Sequence, residues 1–147
     1  MSPERIVDLR DHLRLTEEGN WIHDGSLFTN RNVARLFHHS IQWSDEEKVY
    51  LLIIGNMAGR FSMEGTPYFV TSLLDDAAQW EIGLAGGERE SLRSDTLWMG
   101  RNEGIYCLVQ SGHPARFIRG AYQSLIGHAL DEKSLEIGGQ RIVLEVR

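Results

Sequence analysis

The sequence predicts an α+β protein, with mostly antiparallel sheets of about eight to ten short strands and three helices. Three observations carry this expectation. Short apolar stretches recur between residues 60 and 100 with turn residues between them. The stretches after Asn30 and after His113 carry apolar residues at helical spacing. Asp24-Gly25 and Gly138-Gly139 each divide two strand-like segments, as two-residue hairpin loops do. A chain of 147 residues fits a single domain, 1–147, and at that size folding buries about two thirds of the surface the unfolded chain exposes.

Ser2 at an N-cap, Pro3 at the first helical position, and Ile6, Leu9 and Leu13 on one stripe predict an N-terminal helix over 2–14. Thr16-Glu17-Glu18-Gly19 breaks it. Trp21-Ile22 and Ser26-Leu27-Phe28 then flank Asp24-Gly25, which tolerates the positive φ angles of a tight hairpin. Asn30 caps a second helix, with Val33, Leu36, Phe37, Ser40 and Ile41 at helical intervals and an end near Trp43. After the polar turn Ser44-Asp45-Glu46-Glu47, the uniformly apolar run Val49 to Ile54 predicts a central strand buried on both faces.

Arg60 to Met63, Tyr68 to Leu73, Trp80 to Leu84 and Leu92 to Met99 have the pattern of an antiparallel meander, punctuated by Glu64-Gly65-Thr66-Pro67 and Gly86-Gly87. Ile105 to Val109 is a further strand. His113-Pro114 opens a third helix, with an apolar stripe at Ile118, Ala121, Tyr122, Leu125, Ile126 and Ala129. Leu135 to Ile137 and Arg141 to Val146 form a terminal hairpin across Gly138-Gly139. Residues 27–42 align without gaps with 108–123, an offset of 81 positions, and both are expected to run strand, capping turn, helix. The alignment predicts two packed structural repeats, about 19–75 and 76–147, with Arg35 and Arg116 in equivalent places near their helix starts.

A formal net charge of -6 with no basic cluster argues against sequence-independent nucleic-acid binding, which needs a cationic face to displace counterions. Of the positive residues only Lys48 and Lys133 are lysine; the remainder are arginines, whose planar fork suits bidentate anion binding. The single cysteine, Cys107, lies in the apolar run 105–109, so it has no internal disulfide partner and fits a reducing compartment. The charged start lacks a following apolar stretch and Val49–Ile54 is too short to span a bilayer, so a soluble cytoplasmic protein without membrane partners is expected.

From Trp21 to Gly25, from Glu64 to Val70 and from His113 to Arg116, the chain resembles a bacterial family, the proteins grouped as domain of unknown function 1285. Trp21-Ile22-His23-Asp24-Gly25 is similar to that family's opening tryptophan and "dG" turn, and the helix with Leu36-Phe37 follows as it does there. Glu64-Gly65-Thr66-Pro67-Tyr68-Phe69-Val70 is similar to its acidic residue, proline and apolar strand, and His113-Pro114-Ala115-Arg116 to its "HPxR" element. The resemblance covers about residues 19–146. A weaker similarity, including the "GxLF" stretch, links the chain to the eukaryotic uncharacterised protein family 0598. The first resemblance implies a mixed α and β fold with repeated structural motifs and a ligand-responsive or signalling role, and it supplies no catalytic residues. This chain lacks the proline-bearing segment expected between "HPxR" and the last helix, so a pocket formed there would differ from the family's.

Six histidines, 12, 23, 38, 39, 113 and 128, raise the question of a metal. None has ligand spacing: adjacent His38 and His39 diverge by about 100° on a helix, where a metal pair needs i, i+3 or i, i+4. No metal is expected. There is no G-x-S-x-G, and Cys107 sits where burial would make it unreactive. The glycines form neither G-x-G-x-x-G nor a P-loop, so no nucleotide cofactor is expected. The remaining polar residues at strand ends are His23, Arg60, Glu64, His113 and Arg116, with Asp24 beside them. Converging on one cleft, they would bind an anionic small molecule or peptide; the alternative for Glu64 is a structural ion pair with an arginine.

A non-enzymatic ligand-binding or regulatory module is therefore the leading expectation. A small hydrolase or isomerase pairing His23 or His113 with Asp24 or Glu64 is one alternative, although adjacent strand residues point to opposite faces. An oligomeric scaffold subunit is another, and homo-oligomers are expected under that reading.

Overall fold

The protein is described by a computed structural model covering residues 5–76 and 78–147. Its chain divides into two compact units, Met1–Pro67 and Tyr68–Arg147.

In the first unit, β1 (Arg5–Asp8) pairs parallel with β7 (Met57–Arg60), and β7 continues antiparallel through β6 (Val49–Ile54) to β5 (Ile41–Ser44). A second four-stranded sheet runs in the order β4 (Ser26–Leu27), β3 (Trp21–His23), β2 (Leu13–Leu15), β8 (Ser62–Met63), its last pair parallel. Between β4 and β5 stands α1 (Arg31–His39), capped as the sequence predicts: Asn30 Oδ1 accepts the N–H groups of Asn32 at 3.0 Å and Val33 at 3.2 Å. Trp21 anchors this unit, 1% exposed, with Phe37 edge-on at 5.5 Å and Phe61 at 5.3 Å.

In the second unit a seven-stranded sheet runs β11 (Arg89–Ser91), β10 (Glu81–Leu84), β9 (Tyr68–Leu74), β14 (His113–Phe117), β13 (Ile105–Val109), β12 (Trp98–Met99), β17 (Glu145–Val146). It is antiparallel except at β9–β14 and β12–β17. Alternation sorts β13 cleanly: Ile105, Cys107 and Val109 are buried while Tyr106 and Leu108 are half-buried. Packed against β9 is α2 (Arg119–Ile126), which buries Ala121 and Leu125. A separate hairpin, β15 (Ser134–Ile137) and β16 (Gln140–Val143), turns on Gly138-Gly139 at φ 58° and 82°, as its two glycines allow.

The architecture is the expected α+β, with two α-helices rather than three among the described residues. Ser2 and Pro3, the expected cap of an N-terminal helix over 2–14, lie outside those residues, and 5–14 run strand, turn, strand. The helical spacing of Leu9 and Leu13 reflects one turn, in which the Leu13 N–H bonds the Leu9 carbonyl at 2.8 Å; Ile6 belongs instead to the pairing with β7. The second helix ends at His39 rather than near Trp43, because Ser40 caps it and Ile41 begins β5. His113-Pro114 opens a strand, and the last helix begins only at Arg119. Leu92 to Met99 is not one strand: a 3₁₀ turn over Ser94–Thr96 precedes β12. β6 is interior to its sheet as expected but not buried throughout, since Val49 is 42% and Ile54 38% exposed.

The 81-position alignment sets α1 against β14, so Arg35 lies in a helix and Arg116 in a strand. What the two units share is an element order: a three-stranded meander (β2–β4, β12–β14), a helix, then a hairpin (β5–β6, β15–β16).

Candidate functional site

An open cleft of about 390 Å³ in the second unit is lined by Asp75, Asp76, Ala78, Trp80, His128, Glu136, Gly138 and Gly139. Four chain ends build it. β9 stops at Leu74 and delivers Asp75 and Asp76, and Trp80 stands just before β10. α2 closes at Gly127, whose N–H bonds the Gln123 carbonyl at 3.0 Å, and the next N–H, that of His128, bonds Leu125 at 3.1 Å. The His128 carbonyl accepts the Glu136 N–H at 2.9 Å, which draws β15 alongside. Its turn comes so close that a Cβ on Gly138 would stand 2.6 Å from the Ala78 carbonyl oxygen.

The imidazole of His128 is held on two sides. Its ring packs on Trp80 with centroids 4.5 Å apart, and its Nε2 lies 2.5 Å from Asp75 Oδ2. With Nε2–H donating to Asp75, Nδ1 is the acceptor left for a ligand. Both side chains of the pair are about a third exposed, 33% for His128 and 36% for Asp75. Three carboxylates and no lysine or arginine line the cleft, so its field favours cations and hydrogen-bond donors. Among the described residues no group of three or more His, Cys, Asp or Glu is placed to hold a metal ion.

In the first unit the β3–β4 turn makes a second histidine–aspartate arrangement. Asp24 at φ 49° and Gly25 at φ 83° form the tight loop, and the Asp24 N–H bonds the His12 carbonyl at 2.8 Å. Asp24 Oδ1 then lies 2.7 Å from His12 Nδ1, and Oδ2 3.4 Å from His23 Nε2. The hydrogen bond to Asp24 raises the His12 pKa, and the same bond lowers that of Asp24. All three side chains are more than half exposed, the smallest value being 57%, so solvent screens the arrangement.

The other expected site residues are distributed. Glu64 accepts the Glu17 N–H at 3.1 Å and holds Arg14 at 3.1 Å, an ion pair between neighbouring parts of one sheet. Arg60 pairs with Glu47. His23 lies opposite Leu13, whereas Glu64 follows the partner of Leu15, so the two stand at opposite ends of β2. His113 and Arg116 are three residues apart on β14 and therefore face opposite sides of the sheet. His113 lies 6.1 Å from the Tyr68 ring, and the Arg116 guanidinium 5.9 Å over Tyr106.

No known family's sequence profile matches the chain, and no curated protein matches it either. Solved structures do. A crystal structure of a DUF1285 family protein from Silicibacter pomeroyi DSS-3 is similar over 98% of this chain and 84% of its own, with TM-score 0.70 and 15% identity. A second, from Shewanella baltica OS155, is similar over 78% of this chain and 90% of its own, with TM-score 0.61 and 15% identity. The fold is the DUF1285 fold.

The family that the sequence resembles is thus the family of both structural neighbours. Within this chain's DUF1285 fold the motifs that carry the resemblance do structural work. Trp21 fills the first unit's core, Asp24-Gly25 makes a hairpin turn, and His113-Pro114-Ala115-Arg116 begins an interior strand. The cleft residues Asp75, Trp80, His128 and Glu136 escape sequence reasoning. Asp75-Asp76 has the composition of an ordinary turn, and His128, 53 positions away, lies beyond the helix that precedes it. His12 is missed because residues 2–14 are expected to be helical. No helix among the described residues is long and apolar enough to cross a membrane.

Proposed function

We propose that the protein is a non-enzymatic small-ligand-binding module whose ligand enters the cleft at Asp75, Trp80 and His128. The observation that supports this most is His128, clamped between the Trp80 ring and the Asp75 carboxylate inside an open cleft of about 390 Å³. The lining carboxylates select a cationic or hydrogen-bond-donating group, opposite in charge to the anion expected from Arg60 and Arg116. A ligand there would bridge the β15–β16 turn and the loop around Ala78, which gives a regulatory module its means of reporting occupancy. We infer a cytoplasmic location from the lone, buried Cys107.

A thermal-shift screen of small amines, neutral metabolites and carboxylates tests the proposal. A ligand at a hundred times its dissociation constant adds about 2.7 kcal/mol of stability. Stabilisation by an amine or donor-rich compound, lost in Asp75→Asn and in His128→Ala, is the expected outcome. Stabilisation by anions alone, or shifts indifferent to both substitutions, overturns it.

The 2.5 Å contact of His128 with Asp75 also favours a second reading, in which the pair acts as a general acid–base unit in the role expected for His23 or His113. Substrate turnover that vanishes in His128→Ala would establish that reading in place of the first.

A further inference from the structure

Helix α1 is amphipathic, yet none of its nine residues is buried. Its core-facing side rests on Phe37, which is half-buried against Trp21 and Phe28. Leu36 is 46% exposed and Val33 36%. Arg31 and Arg35, one turn apart and exposed, have no carboxylate partner among the described residues. Elsewhere Arg10, Arg14, Arg60, Arg89, Arg141 and Arg147 each hold one. Arg31 and Arg35 thus stand open on one helix that also exposes apolar side chains and carries no acidic residue.

We propose that α1 is a docking surface for an acidic amphipathic segment of a partner protein. At about 100° per residue, Arg31 and Arg35 form one edge of the exposed face, Leu36 and Val33 the other, and Asn32 and His39 lie between them. A helix carrying glutamates along one edge and leucines along the other matches both rows, its carboxylates on the guanidinium forks and its apolar side chains on Leu36 and Val33. A bilayer is a poorer match, because a membrane-seated helix presents an apolar centre and here Asn32 occupies that position.

The test uses the full chain and a fluorescein-labelled synthetic helix with glutamates and leucines on adjacent faces, read by fluorescence anisotropy. Saturable binding is expected that weakens by about tenfold or more in Arg31→Glu/Arg35→Glu, where each 1.4 kcal/mol is a factor of ten. Weakening is also expected in Leu36→Asp and on raising salt. Arg31→Gln/Arg35→Gln repeats the test without charge reversal, and circular dichroism verifies that each variant is folded. Equal affinity for the same helix with lysines in place of glutamates overturns the proposal, as does binding unchanged in both arginine variants. Binding to phosphatidylglycerol vesicles but not to the peptide would assign α1 to a membrane. A dimer abolished by Leu36→Asp, without peptide binding, would assign it to a second copy of this chain.

Discussion

His128 and Asp75 are 53 residues apart in the chain and 2.5 Å apart in the fold, and their contact ties the segment after α2 to the exit of β9. A partly exposed pair of this kind contributes on the order of 1 kcal/mol or less. Asp75→Asn should therefore lower Tm by only a few degrees while abolishing ligand-induced stabilisation. His128→Ala removes a ring from the face of Trp80 as well, so its near-ultraviolet circular dichroism should change where that of Asp75→Asn does not. A collapse of the fold in Asp75→Asn would mean that the pair is structural.

The His12–Asp24 pair has a pH window. The folded pKa of His12 is raised above its ordinary 6.5, so its contribution is complete below 6.5 and is lost as pH rises through the raised value. That of Asp24 is lowered from 3.8, so its contribution is complete above 3.8 and is lost as pH falls through the lowered value. In Asp24→Asn the His12 titration followed by NMR should move back down toward 6.5. Any stability difference from the wild type should be greatest between pH 3.8 and 6.5, and should close both as pH rises through the raised His12 value and as it falls through the lowered Asp24 value.

Gly138→Ala should destabilise the protein by about 1–3 kcal/mol, because an L residue at positive φ is strained and its Cβ would meet backbone. The φ there is 58° and the obstructing atom, the Ala78 carbonyl oxygen, lies 2.6 Å away. Gly25→Ala shares the positive φ at 83° but meets nothing within 4 Å, so it should cost less. Urea denaturation of the two variants side by side separates strain from collision.

Burial pushes the Cys107 thiol up to about 12, with the Glu90 carboxylate adding to the shift. The folded protein should be inert to a thiol-reactive disulfide reagent at pH 8 and react with one equivalent after denaturation. Prompt reaction of the native protein would show that β13 opens.

Elements specified by neighbouring residues were legible in the sequence. Asp24-Gly25, Gly138-Gly139, the Asn30 cap and the strand Ile105–Val109 all stand where local chemistry puts them. Misplaced elements depend on distant partners. Nothing within residues 5–8 announces that Met57–Arg60 will pair with them, and a helical spacing was the only local signal. Pro114 suggested a helix start, yet it sits in β14 one position before β9 joins at Ala115, where a missing N–H costs no hydrogen bond to that strand. The cleft was illegible for the same reason: Asp75 and Trp80, His128, and Glu136 come from three separate parts of the chain and carry no shared spacing.

The parallel contact of β9 with β14 has a consequence for how the second unit is assembled. On one side of that seam β9, β10 and β11 follow one another through short turns, and on the other β12, β13 and β14 do the same. Each half closes by local contacts, whereas the seam joins Tyr68–Val70 to Ala115–Phe117 across the whole intervening chain. Loop-closure entropy makes such long-range joining slow. The two halves are therefore expected to form before the three residue pairs at the middle of the sheet join them, and pulsed hydrogen exchange should protect the amides of the β9–β10 and β13–β14 pairs before those of the β9–β14 seam.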